Sequence, residues 1–360
     1  MNLLDNNSVW QAHNLPDGLS INNGIISGTP LYRGSFSVPV TVTNSLGSDS
    51  KNINIRVKHR NDCYIRKNGE IIETLTPDEL LASIQDGSAE EKYNCYDTQL
   101  LITIVNPINK ISIDDVPLNF CDFRNVTLQN GSTRKGLILQ FANPLWRGLA
   151  IFDSNGFNRW KYSNLRFWLN SSGKDWFAKA YNSDALTFRR GAYSDISVNG
   201  FLSYLPKGLF ELLQPVKIIT QAFFDDDNED SSIQDPDFLD GWDCDITYDK
   251  VFIPALSEMN ILLDGNPDYP EDYIEGRPWA FYSSLFNGLD WTSLTVNTPV
   301  DARNIFSDLE GNSCALLTRS ALVSGKTNIT TLQKNNDYLE LTAMDTYNSL
   351  LSPAPAFVLC

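Results

Sequence analysis

At 360 residues the chain is long enough for two or three hydrophobic cores, and its 11% aromatic content, with eight Trp and nineteen Phe, excludes global disorder. A formal net charge of −16 and a pI near 4.5 exclude nucleic acid as a partner and disfavour an anionic membrane surface, because like charges repel. No run approaches the roughly eighteen apolar residues of a membrane span, and no charged-then-apolar leader follows Met1. Neither membrane insertion nor a signal peptide is therefore expected, and any export is expected through a fused partner, a trimmed leader or lysis.

Residues 1–58 are rich in Asn, Ser, Gly, Val and Ile. Leu15-Pro16-Asp17-Gly18-Leu19-Ser20-Ile21 precedes Gly24-Ile25-Ile26-Ser27-Gly28-Thr29-Pro30. Alternating strands are then expected at Ser35 to Thr43 and Ser50 to Val57, split by Asn44-Ser45-Leu46-Gly47-Ser48. Short period-2 runs between Gly, Pro and Asn clusters predict a small β-sandwich. These residues resemble the Ig-like repeat of bacterial surface and phage proteins, with its LPxGL, GxIsGTP and V-x-V-T-x-N-x-x-G motifs. The resemblance implies an all-β spacer. An Ig-like sandwich usually has seven strands, so an opening strand is expected to be missing. A cut from a longer protein is favoured over completion by a neighbouring chain.

A composition break at Lys58-His59-Arg60 opens a second domain, expected at 63–360. Thr76-Pro77-Asp78-Glu79 reads as a capping box with Pro at the first helical position, and Gly87 sits where a left-handed stop belongs, so a helix is predicted over 77–86. Further helices are predicted after Tyr162-Ser163-Asn164, with Leu165, Trp168 and Leu169 on one face, and over Leu205–Leu213.

This second region resembles a C-type-lectin-like domain of unknown function, on motifs that occur in order. Ile84-Gln85-Asp86-Gly87-Ser88-Ala89, followed by Tyr96-Asp97-Thr98-Gln99, matches the family's opening. Tyr162 to Asn170 matches its S-x-L-R-x-W-L-N helix, and Gly200-Phe201-Leu202-Ser203 with Pro215-Val216 matches the next stretch. Asp249 to Glu258 matches its D-K-V-F-L-x-S-x-x-E strand. Leu317-Thr318-Arg319-Ser320-Ala321 stands where the family has W-L-R-S-P. Pro353 to Leu359 stands where it has V-R-P-A-x-V-L, without that arginine, which implies that a buried arginine tying two strands is missing. The expected architecture is a multidomain chain, an all-β Ig-like sandwich followed by a large α+β C-type-lectin-like domain. Related folds include formylglycine-generating oxidases and variable receptor-binding proteins of phages and bacteria.

The C-terminal stretch from Cys314 to Leu359 is the expected ligand site. Two apolar strands, anchored by Leu316, Leu317, Phe357 and Leu359, would frame a polar display segment with outward-pointing side chains. That segment has the Asn, Thr, Ser and Tyr chemistry of antibody paratopes. Tyr338 and Tyr347 are the expected anchors, with Asn328, Thr330, Asn336, Thr342 and Asn348 as adaptable polar contacts. An ordinary polar hairpin is the alternative. Diversification of this segment by a retroelement is a property of the resembling proteins that codons, not residues, would reveal.

Other clusters read as structural. Six scattered cysteines, with no close pair and only two histidines, His13 and His59, give no metal-ligand spacing, and buried thiols are expected. The acidic run from Asp225 through Asp245 lacks the Gly and Glu positions of an EF-hand and reads as a solvated loop, as does Asp264, Asp268, Glu271 and Asp272. Trp279, Tyr282, Phe286 and Trp291 read as core rather than as a sugar platform. No GxSxG, HExxH, P-loop or GxGxxG pattern is present, so no catalytic residue, metal or cofactor is assigned. The expected role is an adhesin at a phage tail tip or bacterial surface fibre, binding a cell-surface protein or glycan receptor, on the virion or outside the cell, with assembly as an oligomer within a larger fibre or virion left open. A purely structural fibre component is the alternative. An oxidase using Cys314 and Cys360 is the remaining one.

Overall fold

A computed structural model describes residues 8–32, 34–57, 62–107, 109–146, 152, 159–174, 176, 199–224, 241–262, 275–286, 289–290, 308–309, 311–321, 328–335, 338–345 and 351–360. The described chain is mostly β-sheet with few helices, and it divides into two compact units, Met1–Asp62 and Cys63–Cys360. Lys58-His59-Arg60 lies outside the described residues.

The first unit contains β1 (Val9–Ala12), β2 (Leu19–Asn22), β3 (Ile25–Gly28), β4 (Gly34–Asn44) and β5 (Gly47–Val57). An antiparallel sheet runs β1-β4-β5, and β2 and β3 form a separate hairpin. Asn23-Gly24, both at positive φ, make the two-residue turn of that hairpin, as right-handed strand twist favours. The two glycines of the sequence motifs meet here. A Cβ on Gly18 would stand 2.0 Å from the Thr29 carbonyl oxygen, and one on Gly28 would stand 2.1 Å from the Gly18 oxygen. Both also hold left-handed φ values, 90° and 126°, so the LPxGL and GTP segments lock only without side chains at these positions. The core is thin: Val38 is fully buried, whereas Trp10, Ile21, Phe36, Val40, Ile53 and Ile55 are half-buried.

The second unit opens with β6 (Cys63–Lys67) and β7 (Glu70–Leu75), then α1 (Pro77–Asp86) and α2 (Ser88–Lys92). The capping box forms as the sequence predicts. The Glu79 N–H donates to Thr76 Oγ1 at 3.2 Å, the Thr76 N–H donates back to Glu79 Oε2 at 2.7 Å, and Gly87 stops the helix at φ 91°. Next come β8 (Thr98–Val105), β9 (Ser112–Thr127) and β10 (Thr133–Phe141). The helix α3 (Asn164–Leu169) buries Leu165, Trp168 and Leu169. The helix α4 (Lys207–Leu212) is shorter than the expected 205–213, because Pro206 holds Leu205 in an extended conformation.

The remaining strands are β11 (Val216–Phe224), β12 (Gly241–Asp249), β13 (Val251–Phe252) and β14 (Ile261–Leu262). After α5 (Ala280–Phe286) follow β15 (Leu289–Asp290), β16 (Ala315–Ala321), β17 (Asn328–Asn335), β18 (Tyr338–Asp345), β19 (Leu351–Ser352) and β20 (Ala356–Leu359). A seven-stranded sheet, ordered β13-β20-β10-β9-β8-β6-β7, forms the body of this unit. Its middle is buried on both faces. Leu118, Asn119, Phe120 and Cys121 follow one another along β9 without exposure. A polar row crosses it, with Arg66, Gln99, Asn119 and Gln140 in register. Gln99 Nε2 donates to Asn119 Oδ1 at 2.8 Å, and the hydroxyl of the fully buried Tyr282 donates to Gln140 Oε1 at 2.7 Å. Trp279 and Tyr282 are core, as expected.

Gly28→Ala should destabilise the first unit by about 1–3 kcal/mol, because it adds a clash to a strained backbone. Amide exchange in β2 and β3 should accelerate while α1 of the second unit stays protected. Unchanged exchange in the hairpin would refute this account of the motif.

Candidate functional site

The expected display frame rests on β16, which carries an arginine inside an apolar strand. Thr318, Arg319 and Ser320 are all completely buried. An arginine so placed needs several acceptors, and the chain supplies them from three other segments. Arg319 Nη1 donates to Glu258 Oε2 and to the Ile253 carbonyl, each at 2.6 Å. Arg319 Nη2 lies 3.4 Å from the Glu275 carbonyl and 3.5 Å from that of Ile219 in β11. The guanidinium also sits over the Phe252 ring at 5.8 Å.

The neighbours of Arg319 complete the knot. Ser320 Oγ accepts the Leu256 N–H at 3.0 Å and donates to the Glu275 carboxylate, while the Arg319 N–H donates to the Pro254 carbonyl at 3.1 Å. Glu258 Oε2 also accepts the Ala255 N–H at 3.1 Å. Gly276 leaves room for Glu258, since a Cβ there would stand 2.9 Å from its Cγ and Oε1. Arg319 thus ties β16 to the 253–258 segment, to Glu275 and to β11, at a position distinct from the arginine that Pro353 to Leu359 lacks. The sequence signal was a charged residue within Ala-Leu-Leu-Thr-Arg-Ser-Ala, followed to its acid in Pro254-Ala255-Leu256-Ser257-Glu258.

A second ionic node holds the preceding segment. Arg159 grips Asp245 with two bonds, Nε to Oδ2 at 3.0 Å and Nη2 to Oδ1 at 2.8 Å. Asp249 accepts from Trp160 Nε1 at 2.9 Å, Arg166 Nε at 2.7 Å and Thr247 Oγ1 at 2.6 Å. Asp245, Thr247 and Asp249 are buried while Ile246 is half exposed, so β12 turns its polar side inward. The solvated-loop expectation thus fails at Asp245, whose buried cation the sequence places 86 residues away. Residues 225–240 and the cluster from Asp264 to Asp272 lie outside the described residues.

Above this base the display segment forms a regular hairpin. The sheet order is β18-β17-β16-β19, with β17 and β18 paired over eight residues, so β18 is the outer strand. Asn328 is registered opposite Asp345, Thr330 opposite Ala343, Tyr338 opposite Asn335 and Thr342 opposite Thr331. Asn336, Tyr347 and Asn348 lie outside the described residues. Two expectations need correction. The segment does not point outward throughout, because Thr331 is completely buried. Nor do the two apolar strands frame it as a pair. Leu316, Leu317, Phe357 and Leu359 are all fully buried, yet β16 pairs with β17 and β19, whereas β20 pairs with β10 and β13 in the other sheet.

A separate concavity of about 410 Å³ is lined by Asp114, Asp115, Asn143, Asp308 and Leu309, none of them singled out by sequence. Thr103 bonds Asp114 at 2.7 Å, and the Asn312 N–H and amide bond Asp308 at 2.8 and 3.1 Å. Among the described residues no group of three or more His, Cys, Asp or Glu is placed to hold a metal ion, and no helix is long and apolar enough to cross a membrane. Five of the six cysteines are buried, and the sixth, Cys244, is exposed because the inverted β12 turns that side to solvent. Burial pushes the Cys95 thiol up to about 12 and the Cys360 thiol up to about 11.

Residues 5–58 match the family described as Putative Ig domain, within the first unit. No curated protein and no solved structure matches the chain.

Arg319→Ala should cost about 3–5 kcal/mol, since it leaves Glu258 buried without its cation, while Arg319→Met should cost much less if repacking succeeds. Urea titration of both variants measures the difference. Iodoacetamide at neutral pH should label Cys244 first, and Cys95 and Cys360 only after unfolding, because a thiol titrating near 11 or 12 holds almost no thiolate there. Fast native labelling of Cys360, read by peptide mass spectrometry, would contradict this.

Proposed function

We propose that the second unit is a binding module which recognises a cell-surface protein or glycan through the β17–β18 hairpin, with the Ig-like first unit as a spacer. The observation that carries this reading is the contrast between base and tip. The base strand β16 is held by a buried ion pair and its hydrogen bonds, while the hairpin beyond it occupies the outer edge of its sheet. Its sequence supplies Asn328, Thr330, Tyr338 and Thr342, followed by Tyr347 and Asn348 in the adjoining segment. A rigid base lowers the ordering entropy that such contacts must overcome, and Tyr with Asn and Thr offers aromatic area beside adaptable hydrogen bonds. A place at the tip of a phage tail or a bacterial surface fibre suits an acidic chain that joins a spacer to a binding head.

The oxidase reading finds less support. A catalytic Cys needs its thiolate, and burial drives the Cys360 thiol the opposite way. A purely structural fibre role differs from recognition in one measurable respect, the fate of binding when the hairpin is altered.

The test is adsorption to a panel of bacterial cells and a glycan array. A signal should appear with the parent chain and vanish when 326–350 is deleted. Tyr338→Ala and Tyr347→Ala should each weaken binding by about 2 kcal/mol, the scale of interface hot spots. If the two tyrosines serve recognition rather than packing, melting should shift by no more than about 0.5 kcal/mol, the scale of substitutions away from a core. Variants that bind like the parent, or that unfold, would leave the hairpin a structural element.

A further inference from the structure

We propose that β5 of the first unit is a self-association edge, where two copies of this chain join their sheets antiparallel about a two-fold axis. The strand runs eleven residues, Gly47–Val57, in unbroken register with β4 on one side. Among the described residues no strand pairs with its other side. A long unpaired edge without proline is a template for another strand, and charged residues on it, here Asp49 and Lys51, reject any strand that does not complement them.

The chemistry of β5 selects a second copy as the occupant. Asp49 and Lys51 stand two residues apart, on the same face as Ile53 and Ile55. Both are exposed, and among the described residues neither forms an ion pair. In the single chain Asp49 accepts the Ser50 N–H at 2.9 Å, a bond that strand pairing exchanges for a cross-strand one. Cross-strand partners in an antiparallel pair share a face. Pairing two β5 strands about Ser50 therefore sets Asp49 of one copy opposite Lys51 of the other, twice by symmetry, and Ser48 opposite Asn52 on the reverse face. Such an interface is isologous and closes as a dimer.

Charge removes the obvious objection to self-association. The chain carries −16 overall, yet residues 1–58 hold Arg33, Lys51, Arg56 and Lys58 against Asp5, Asp17 and Asp49. The repulsive charge resides in the second unit, and the nearly neutral first unit is free of the self-repulsion that keeps acidic proteins apart. Its thin core adds to the case, because half-buried rows beside the edge gain cover from a neighbouring strand.

Sedimentation equilibrium of the full chain over a concentration series tests the proposal, with Asp49→Lys, Lys51→Asp and the double swap. Circular dichroism confirms folding of each variant. The parent should show a monomer–dimer equilibrium that weakens as salt is raised. Each single swap places like charges opposite each other and should weaken association by about tenfold. The double swap restores complementarity and should recover it. A parent that remains monomeric, single swaps without effect, or a folded double swap that stays dissociated would each overturn the proposal. The salt series on the parent needs no variant, and association indifferent to salt would count equally against it.

Discussion

A guanidinium buried away from solvent is the constraint on which the second unit depends. Arg319 carries a full charge at any accessible pH, and its desolvation is tolerable only where acceptors surround it. Three segments converge on β16 to supply them: the 253–258 stretch, Glu275 and β11. The pairing gives direction to their contact, since a planar fork with set donor angles accepts few arrangements.

The second node works in the same way at another place. The Ser163–Asn170 stretch and the Asp249–Val251 stretch, widely separated in sequence, are joined by side chains that terminate both. Asn170 donates through Nδ2 to the Val251 carbonyl at 2.7 Å and accepts the Lys250 N–H at 2.7 Å, closing the end of α3 against the start of β13. Arg166 and Trp160 reach Asp249 from the other side. Residues that read as a motif for a helix and a motif for a strand are thus the two halves of one joint.

Buried ionic and apolar contacts hold β16 in place, and Thr331 of the neighbouring β17 is buried as well. The first unit is built more thinly. A small sheet with one fully buried apolar strand residue, Val38, gains its order from turn chemistry and glycine contacts more than from a core.

Local chemistry is what the sequence by itself determined. The capping box at Thr76, the apolar face of α3 and the alternating strands β4 and β5 all depend on residues within a few positions of one another, so their energetics are written in short windows. Long-range pairing is what only the tertiary structure decided. Asp245 looked like part of a solvated acidic run because its partner Arg159 is remote, and exposed Cys244 looked like a core thiol because nothing local revealed that β12 is inverted. The strands β16 and β20 looked like two sides of one frame, yet they belong to different sheets. Hydrophobicity says that a strand is buried. Which neighbour buries it is set by register and by the few polar groups, Arg319 foremost, that accept only one partner set.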